Sequence, residues 1–174
     1  MTQYNILPGQ NNFRPLENPK PRFGPKGFEL EARFSESCWW PETPENREGR
    51  QDWNKLKGLT CFFGPNNRRS VLIAWRPGKL KNVMEVTAYT NDRKGGWKTS
   101  GSPVEVYAGQ VFSASCSLDR SLANYEISSF GRTSLYTHAW DAPFLKVFRE
   151  VGTWIGGSGV APQEMSLETS FKIL

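Results

Sequence analysis

Residues 27–35 read GFELEARFS, and apolar and polar side chains alternate strictly along them. Phe28, Leu30, Ala32 and Phe34 fall on one face of an extended chain, and the charged residues between them fall on the other. This period of two predicts a β-strand with one buried face and one solvated face.

Similar short segments continue toward the C-terminus, separated by Pro, Gly, Asn and Asp residues that favour turns. They read SVLIAWR, NVMEVTAYT, PVEVYAG, QVFSASCSL, ANYEISS and EMSLETSFKIL. About eight strands at hairpin-like spacing predict an all-β fold, an antiparallel jelly-roll β-sandwich. We expect this sandwich domain to span residues 27–174.

Two segments depart from the strand pattern. Residues 35–57 predict a long surface loop, with Lys55 in a turn-like stretch near its end. Residues 141–152, DAPFLKVFREVG, place Phe144, Leu145, Phe148 and Val151 at helical spacing, between Asp141 as a possible N-cap and Gly152 as a stop. They favour a short helix, and a strand leading into TWIGG is the alternative.

Residues 1–26 differ from the rest, because they contain five prolines and no periodic apolar pattern. Proline fixes φ and removes a hydrogen-bond donor, so the sequence predicts an extended N-terminal arm. Alone, such an arm is expected to be disordered, and either the domain's own surface or a neighbouring subunit would have to order it. Its expected anchors in the pockets of a neighbour are Tyr4, Ile6, Phe13 and Phe23.

The net charge of +5 favours anionic partners. The basic residues are scattered, however, and no motif of a nucleic-acid-binding fold accompanies them, so nucleic acid is not favoured. We expect no membrane partner, because no apolar run reaches the ~20 residues of a membrane helix. No signal-peptide pattern is present, so the predicted location is the cytoplasm, or a virion if the protein leaves in an assembled particle.

Cysteine and histidine usage limits the chemistry. Cys38, Cys61 and Cys116 are an odd number without a CxxC pair, which predicts free thiols. His138 is the single histidine, so multi-histidine metal sites are excluded and no metal or cofactor is predicted. A Ser-His-Asp arrangement would have to use His138 with Asp141, but no GxSxG elbow supports it.

Four stretches occur in a suggestive order: NKLKGLTCFFG, SVLIAWR, NVMEVTAY and GTWIGGSGVAP. Together they resemble the motifs of alginate- and glucuronan-lyase-type polysaccharide lyases over roughly residues 28–174. The resemblance implies a jelly-roll sandwich. It also implies a catalytic face with a lysine, a serine, an arginine and tyrosines on neighbouring strands.

By this resemblance, the lysine corresponds to Lys55 and the serine to Ser70. The first arginine position holds Leu72, which cannot neutralise a uronate carboxylate. We therefore expect that the sandwich is kept while the lyase set is incomplete, and that Lys55 is an ordinary loop lysine. An active lyase would bring four side chains together in one cleft: Lys55, Arg76, Tyr89 and His138.

Three functions follow from these observations. The first is a non-enzymatic structural component of a large assembly, such as a capsid decoration or cement protein of a virus or phage particle. It would use the arm to contact other protein subunits. The second is a carbohydrate-binding module that stacks glycans on Trp39, Trp40, Trp53 and Trp97. The third is a polysaccharide lyase acting on acidic glycans.

Overall fold

The structure, a computed structural model, describes residues 1–16, 20–66, 68–143, 145–156 and 159–174, without the side chain of Glu48. Two β-sheets pack against each other around one main apolar core. Every strand pairing in the described part of the chain is antiparallel. The predicted all-β jelly-roll sandwich is therefore confirmed.

The strands are numbered in chain order. They are β1 Thr2–Ile6, β2 Arg22–Phe23, β3 Gly27–Phe34, β4 Asn54–Cys61, β5 Ser70–Pro77, β6 Val83–Asn91, β7 Trp97–Thr99, β8 Val104–Tyr107, β9 Val111–Leu118, β10 Leu122–Ser129, β11 Arg132–Ala139, β12 Val147–Val151 and β13 Met165–Ile173. Sheet A has the order β1-β13-β3-β9-β10-β11. Sheet B has the order β2-β12-β4-β5-β6-β7, with β8 also paired to β6.

Alternation along the strands places the core as the sequence predicts. Phe28, Leu30, Ala32 and Phe34 of β3 are all buried against sheet B. Trp75 of β5 lies at the centre, with its ring centroid 5.0 Å from that of Phe34. Alternate residues of β5 therefore face inward, and those between them face outward.

The N-terminal segment is part of the sandwich, in contrast to the separate arm that the sequence suggests. Thr2 to Ile6 pair with Thr169 to Met165, so β1 is the edge strand of sheet A. Tyr4, Ile6 and Phe13 are buried in the chain's own core, whereas Phe23 is 78% exposed. The prolines follow β1 rather than interrupt it, which is why a strand forms there; Pro19 lies outside the described residues.

The helix predicted over residues 141–152 is wrong for its second half, which forms β12. This strand lies between β2 and β4, whose backbone groups hydrogen-bond to it on both sides. Those partners lie far away in sequence, so they override the helical spacing of Phe148 and Val151. Phe144, the first residue of the predicted apolar set, lies outside the described residues.

The predicted long loop ends earlier than expected, because β4 begins at Asn54. Lys55 is therefore a residue of a central strand and not of a loop. The segment predicted as a loop also contains two short helices, a 3-10 helix at Glu36–Cys38 and α1 at Arg47–Gln51. Within the described ranges, no helix has the length and apolar character needed to cross a bilayer.

Candidate functional site

The outer face of sheet B, which points away from sheet A, carries a cleft of about 480 Å³. We call it the outer cleft. Strands β4, β6 and β7 supply part of its lining, and the N-terminal segment, two turns and the chain after β12 supply the rest. Its lining residues are Asn12, Lys55, Asn66, Tyr89, Asn91, Gly95, Trp97 and Trp154.

Lys55 lines this cleft and is only 8% exposed. Its ammonium nitrogen is 4.0 Å from the centroid of the Tyr89 ring and donates a hydrogen bond to the carbonyl oxygen of Trp53. Burial lowers the pKa of Lys55 to about 8, although the negative charge of Asp52 acts in the opposite direction. The expectation of a solvated loop lysine is therefore wrong.

The position of Lys55 depends on two local features. The pairing of β4 with β5 shifts its register between Lys55 and Lys57, which is the signature of a β-bulge, and bulges re-aim side chains. The backbone of Lys55 also exchanges two hydrogen bonds with Trp154, at 2.9 and 3.0 Å. These contacts hold Lys55 and Trp154 side by side in the cleft.

Tyr89 and Trp97 form a stacked aromatic pair. Their ring centroids are 5.9 Å apart and their planes differ by 9°. Tyr89 is nearly buried, whereas Trp97 is 60% exposed. Burial raises the pKa of Tyr89 to about 12, so its hydroxyl stays protonated at neutral pH. Trp97 thus presents a flat apolar surface to solvent, and the Tyr89 ring stacked on it contacts the charged Lys55.

The floor of the cleft is apolar. Leu72 and Ala74 of β5 form a small buried cluster with Tyr89 and Val151, against which Trp53 and Trp154 pack. Leu72 is the residue that stands at the arginine position implied by the family resemblance, and it is fully buried in this floor. The site therefore lacks a cation at the position where that resemblance implies one.

Polar groups line the rest of the cleft. Asn91 donates a hydrogen bond from Nδ2 to Ser70 Oγ at 2.6 Å, so Ser70, the serine implied by the resemblance, is already engaged. The side-chain oxygen of Asn66 is buried and has no hydrogen-bond partner among the described residues. Asn12 belongs to the N-terminal segment, and an antiparallel β-bridge between its backbone and that of Trp154 holds it at the cleft.

The four residues of the hypothetical lyase set do not converge. Lys55 and Tyr89 meet in the outer cleft, as described. Arg76 instead donates to Glu85 at 2.7 Å and lies over the Trp53 ring, with its guanidinium carbon 4.3 Å from the centroid. An ion pair and a ring contact therefore already engage its guanidinium.

His138 lies in sheet A and is buried. Its Nδ1 is 2.9 Å from Thr90 Oγ1, which also contacts the Tyr125 hydroxyl at 2.7 Å. Thr90 follows Tyr89 in β6 and therefore points to the opposite face of sheet B. Burial lowers the pKa of His138, which favours the neutral ring. His138 is thus a residue between the sheets and not part of the outer cleft.

The four tryptophans predicted to stack glycans are also divided. Trp97 lines the cleft and Trp53 packs against its floor. Trp40 is buried and packs edge-on against Trp75, and the Trp39 indole N–H donates to the Gly78 carbonyl at 3.0 Å. Trp40 therefore belongs to the core, and Trp39 ties the segment before β4 to the turn after β5.

Sequence reasoning missed Trp154, Asn12 and Asn66. Trp154 was visible within GTWIGGSGVAP, but nothing in that stretch shows that it pairs with Lys55. The described residues contain no group of three or more His, Cys, Asp or Glu side chains that could hold a metal ion. Cys38, Cys61 and Cys116 are free thiols in the structure.

No protein-family profile matches the sequence. No curated protein matches it either. Solved structures do share its fold. An alginate lyase from Klebsiella pneumoniae superposes with a TM-score of 0.57 at 11% identity, over 84% of this chain and 59% of that one. The chain thus spans about three fifths of the length of that enzyme.

Two further structures extend this comparison. A protein of unknown function from Saccharomyces cerevisiae has a TM-score of 0.55 at 8% identity, and the match covers 99% of this chain and 87% of that one. A GH43 protein from Bacillus licheniformis has a TM-score of 0.55 at 14% identity, over 97% of this chain and 32% of that one. At these identities the likeness establishes the fold: a sandwich shared with alginate lyases.

Proposed function

We propose that this chain is a carbohydrate-binding domain that holds a saccharide in the outer cleft of sheet B. The observation that carries the proposal is the Trp97 ring. It is 60% exposed, lies parallel to Tyr89 and stands at a cleft edged by asparagine amides and a lysine. An aromatic ring exposed beside fixed polar groups is the usual composition of a ligand site.

Each part of the cleft suits one feature of a sugar. A pyranose ring has an apolar face of C–H groups that packs on a flat aromatic surface, which Trp97 supplies. Its hydroxyls are both donors and acceptors, and the amide groups of Asn12, Asn66 and Asn91 offer both functions. The buried, unpartnered oxygen of Asn66 is one acceptor that a hydroxyl would satisfy.

The charge of the cleft favours a saccharide that carries a carboxylate or another acidic group. The Lys55 pKa of about 8 keeps most of its ammonium charged at neutral pH. The chain as a whole also carries a net charge of +5. Similar folds in enzymes named alginate lyases support the proposal, since alginate is an acidic polysaccharide, although the likeness by itself concerns only the fold.

A polysaccharide lyase is the second candidate, and the contact between Lys55 and Tyr89 is the observation that favours it. In β-elimination a base removes the proton at C5 of a uronate, the C4–O bond breaks, and an acid protonates the departing oxygen. Lys55 in its neutral form and the Tyr89 hydroxyl could fill those two roles. The buried Leu72 weighs against it, because nothing at that position would stabilise the charge on the substrate carboxylate.

A structural role in a large assembly stays a prediction, and it has less support from the structure than from the sequence alone. It depended on an arm with apolar anchors for neighbouring subunits. Tyr4, Ile6 and Phe13 are instead buried within their own domain, so only Phe23 of that set is exposed for a partner.

The test is a binding survey against immobilised neutral and uronate-containing oligosaccharides, followed by affinity measurements for two variants. W97A should weaken binding at least ~10-fold, which corresponds to ~1.4 kcal/mol. F130A removes a similarly exposed ring, 63% accessible, at the turn between β10 and β11 and serves as the matched control. Equal loss in both variants, or none in W97A, would contradict the proposal.

The same samples separate binding from cleavage. Incubation of a bound uronate oligosaccharide with the wild-type chain should leave its length unchanged if the domain only binds. Unsaturated uronate products that disappear in K55M would establish the lyase instead.

A further inference from the structure

A second hollow of about 550 Å³ lies where the turn after β4 meets the turn after β6. Three arginines from these two turns reach it: Arg68, Arg69 and Arg93. We call it the arginine pocket. It is distinct from the outer cleft, although adjacent residues of the same turn contribute to each: Asn66 to the cleft and Pro65 to the pocket.

The three guanidinium groups have no ion-pair partner in the part of the chain that the structure describes. Arginines elsewhere do, as Arg33 with Glu168 and Arg76 with Glu85, both at 2.7 Å. Carboxylates are present near the pocket but accept backbone N–H groups. Asp92 accepts from Lys94 and Gly96, and Asp141 accepts from Arg93 at 3.2 Å. The three arginines therefore line the pocket without a carboxylate bound to any of their guanidinium groups in the described part of the chain, so these groups can take up an anion.

Arg69 is the best-defined member of the group. Its Nε is buried and lacks a hydrogen-bond partner among the described residues. Its backbone is fixed at both ends, since its N–H donates to the Asp92 carbonyl at 3.0 Å and its carbonyl accepts from Cys61 at 3.3 Å. It also has a φ of 48°, a conformation that is uncommon for a residue other than glycine. The fold therefore holds a buried cationic donor in place without satisfying it.

The rest of the pocket is apolar. Phe63 and Leu145 are exposed by 72% and 65%, although both are large hydrophobic side chains. Val147 of β12 also lines the pocket. A bare inorganic anion would use the arginines and leave this apolar surface in water.

We infer that the arginine pocket binds an organic anion: a phosphate, sulfate or carboxylate group joined to an aromatic or aliphatic body. Guanidinium groups bind such oxyanions through paired N–H donors, and Phe63, Leu145 and Val147 cover the body. The volume falls in the range of small-molecule sites, ~300–1,000 Å³. The inference does not depend on the saccharide proposal, because the two sites use different side chains.

The test is a calorimetric titration of the full chain with 1-naphthyl phosphate, compared with inorganic phosphate and with 1-naphthalenemethanol. The first should bind at least ~10-fold more tightly than either of the others, because it alone offers both parts of the ligand. R69Q and R93Q should each weaken its binding at least ~5-fold. R120Q, at an exposed arginine outside the pocket, is the matched control and should change nothing.

Three outcomes would overturn the inference: no binding of naphthyl phosphate at millimolar concentration, equal affinity for inorganic phosphate, or equal affinity of R69Q, R93Q and the wild type. W97A separates the two sites. It should bind naphthyl phosphate normally even where it fails to bind saccharide, so either proposal can fail without the other.

Discussion

At the scale of single residues, the environment of Lys55 decides its chemistry. The side chain is buried on a central strand between Tyr89 and the Trp53 carbonyl. A surface lysine would keep its usual high pKa, whereas burial lowers that of Lys55 to about 8. The same side chain can therefore bind an acidic group at neutral pH and lose its proton only slightly above it.

The shifted pKa predicts a pH dependence of stability. The folded chain releases the Lys55 proton near pH 8, whereas the unfolded chain keeps it up to about 10.5. Between these values the unfolded state binds more protons, so the Lys55 contribution to the free energy of unfolding rises with pH. Urea unfolding should show that the wild type gains stability relative to K55M from pH 7.5 to 9.5.

K81M, which removes an exposed lysine, controls for the loss of one positive charge. A difference between wild type and K55M that stays constant over this pH range would contradict the pKa shift. Direct NMR titration of the Lys55 side chain would locate the pKa itself.

Sequence reasoning could not find this environment, although it singled out the residue. The alternation Phe28-Leu30-Ala32-Phe34 is visible locally, since a strand's period is two. The burial of Lys55 instead depends on a bulge in β4 and on Trp154, almost a hundred positions away. A contact of that kind leaves no pattern near either residue.

At the scale of elements, β1 turns a proline-rich segment into part of the sandwich. Lys57 of β4 illustrates the connection, because its ammonium donates to the Tyr4 hydroxyl at 3.1 Å and to Glu150 at 2.8 Å. Exposed and buried residues alternate toward the end of β1, with Tyr4 and Ile6 buried. An alternation of five residues followed by scattered prolines is too short for the sequence to distinguish a strand from an extended arm.

Two phenylalanines of this segment make a matched pair for testing its role. Phe13 is 1% exposed and Phe23 is 78% exposed. F13A should lower the free energy of unfolding by ~3–5 kcal/mol, because it leaves a cavity in the core. F23A should change it by less than ~0.5 kcal/mol. Urea unfolding measures both, and similar values for the two variants would mean that the segment is not docked.

The close approach of β4 to β5 gives a second prediction for an element. A Cβ on Gly58 would overlap the carbonyl oxygen of Val71 in the neighbouring strand. G58A should therefore force β4 away from β5 and cost at least ~1–3 kcal/mol, with loss of saccharide binding because Lys55 lies on β4. G101A is the control, since a Cβ there meets nothing within 4 Å. Equal thermal stability of G58A and G101A would contradict this packing.

At the scale of the whole molecule, the two faces of sheet B have different tasks. The inner face supplies the core with Val71, Ile73 and Trp75, and the outer face carries the cleft above Leu72 and Ala74. The sequence predicts the first task well, because burial of alternate residues is a local pattern. It predicts the second poorly, because the cleft joins side chains from the N-terminal segment, β4, β6, β7 and the chain after β12.

The family resemblance likewise predicts the fold better than it predicts the site. It predicts the jelly-roll sandwich, and similarity to an alginate lyase structure confirms that fold. It also draws attention to Lys55 and Ser70, which both lie on sheet B. It cannot show that Arg76 is paired with Glu85 or that His138 points between the sheets, since those outcomes depend on side-chain partners.

The most direct measurement is an NMR titration that follows the indole N–H signals of the seven tryptophans. The titrant is an oligosaccharide that binds in the survey described above. If the outer cleft is the saccharide site, Trp97 and Trp154 should shift most. The signals of the core residues Trp75 and Trp140 should not shift. Saturable binding that leaves Trp97 and Trp154 unmoved would contradict the account and place the ligand elsewhere on the molecule.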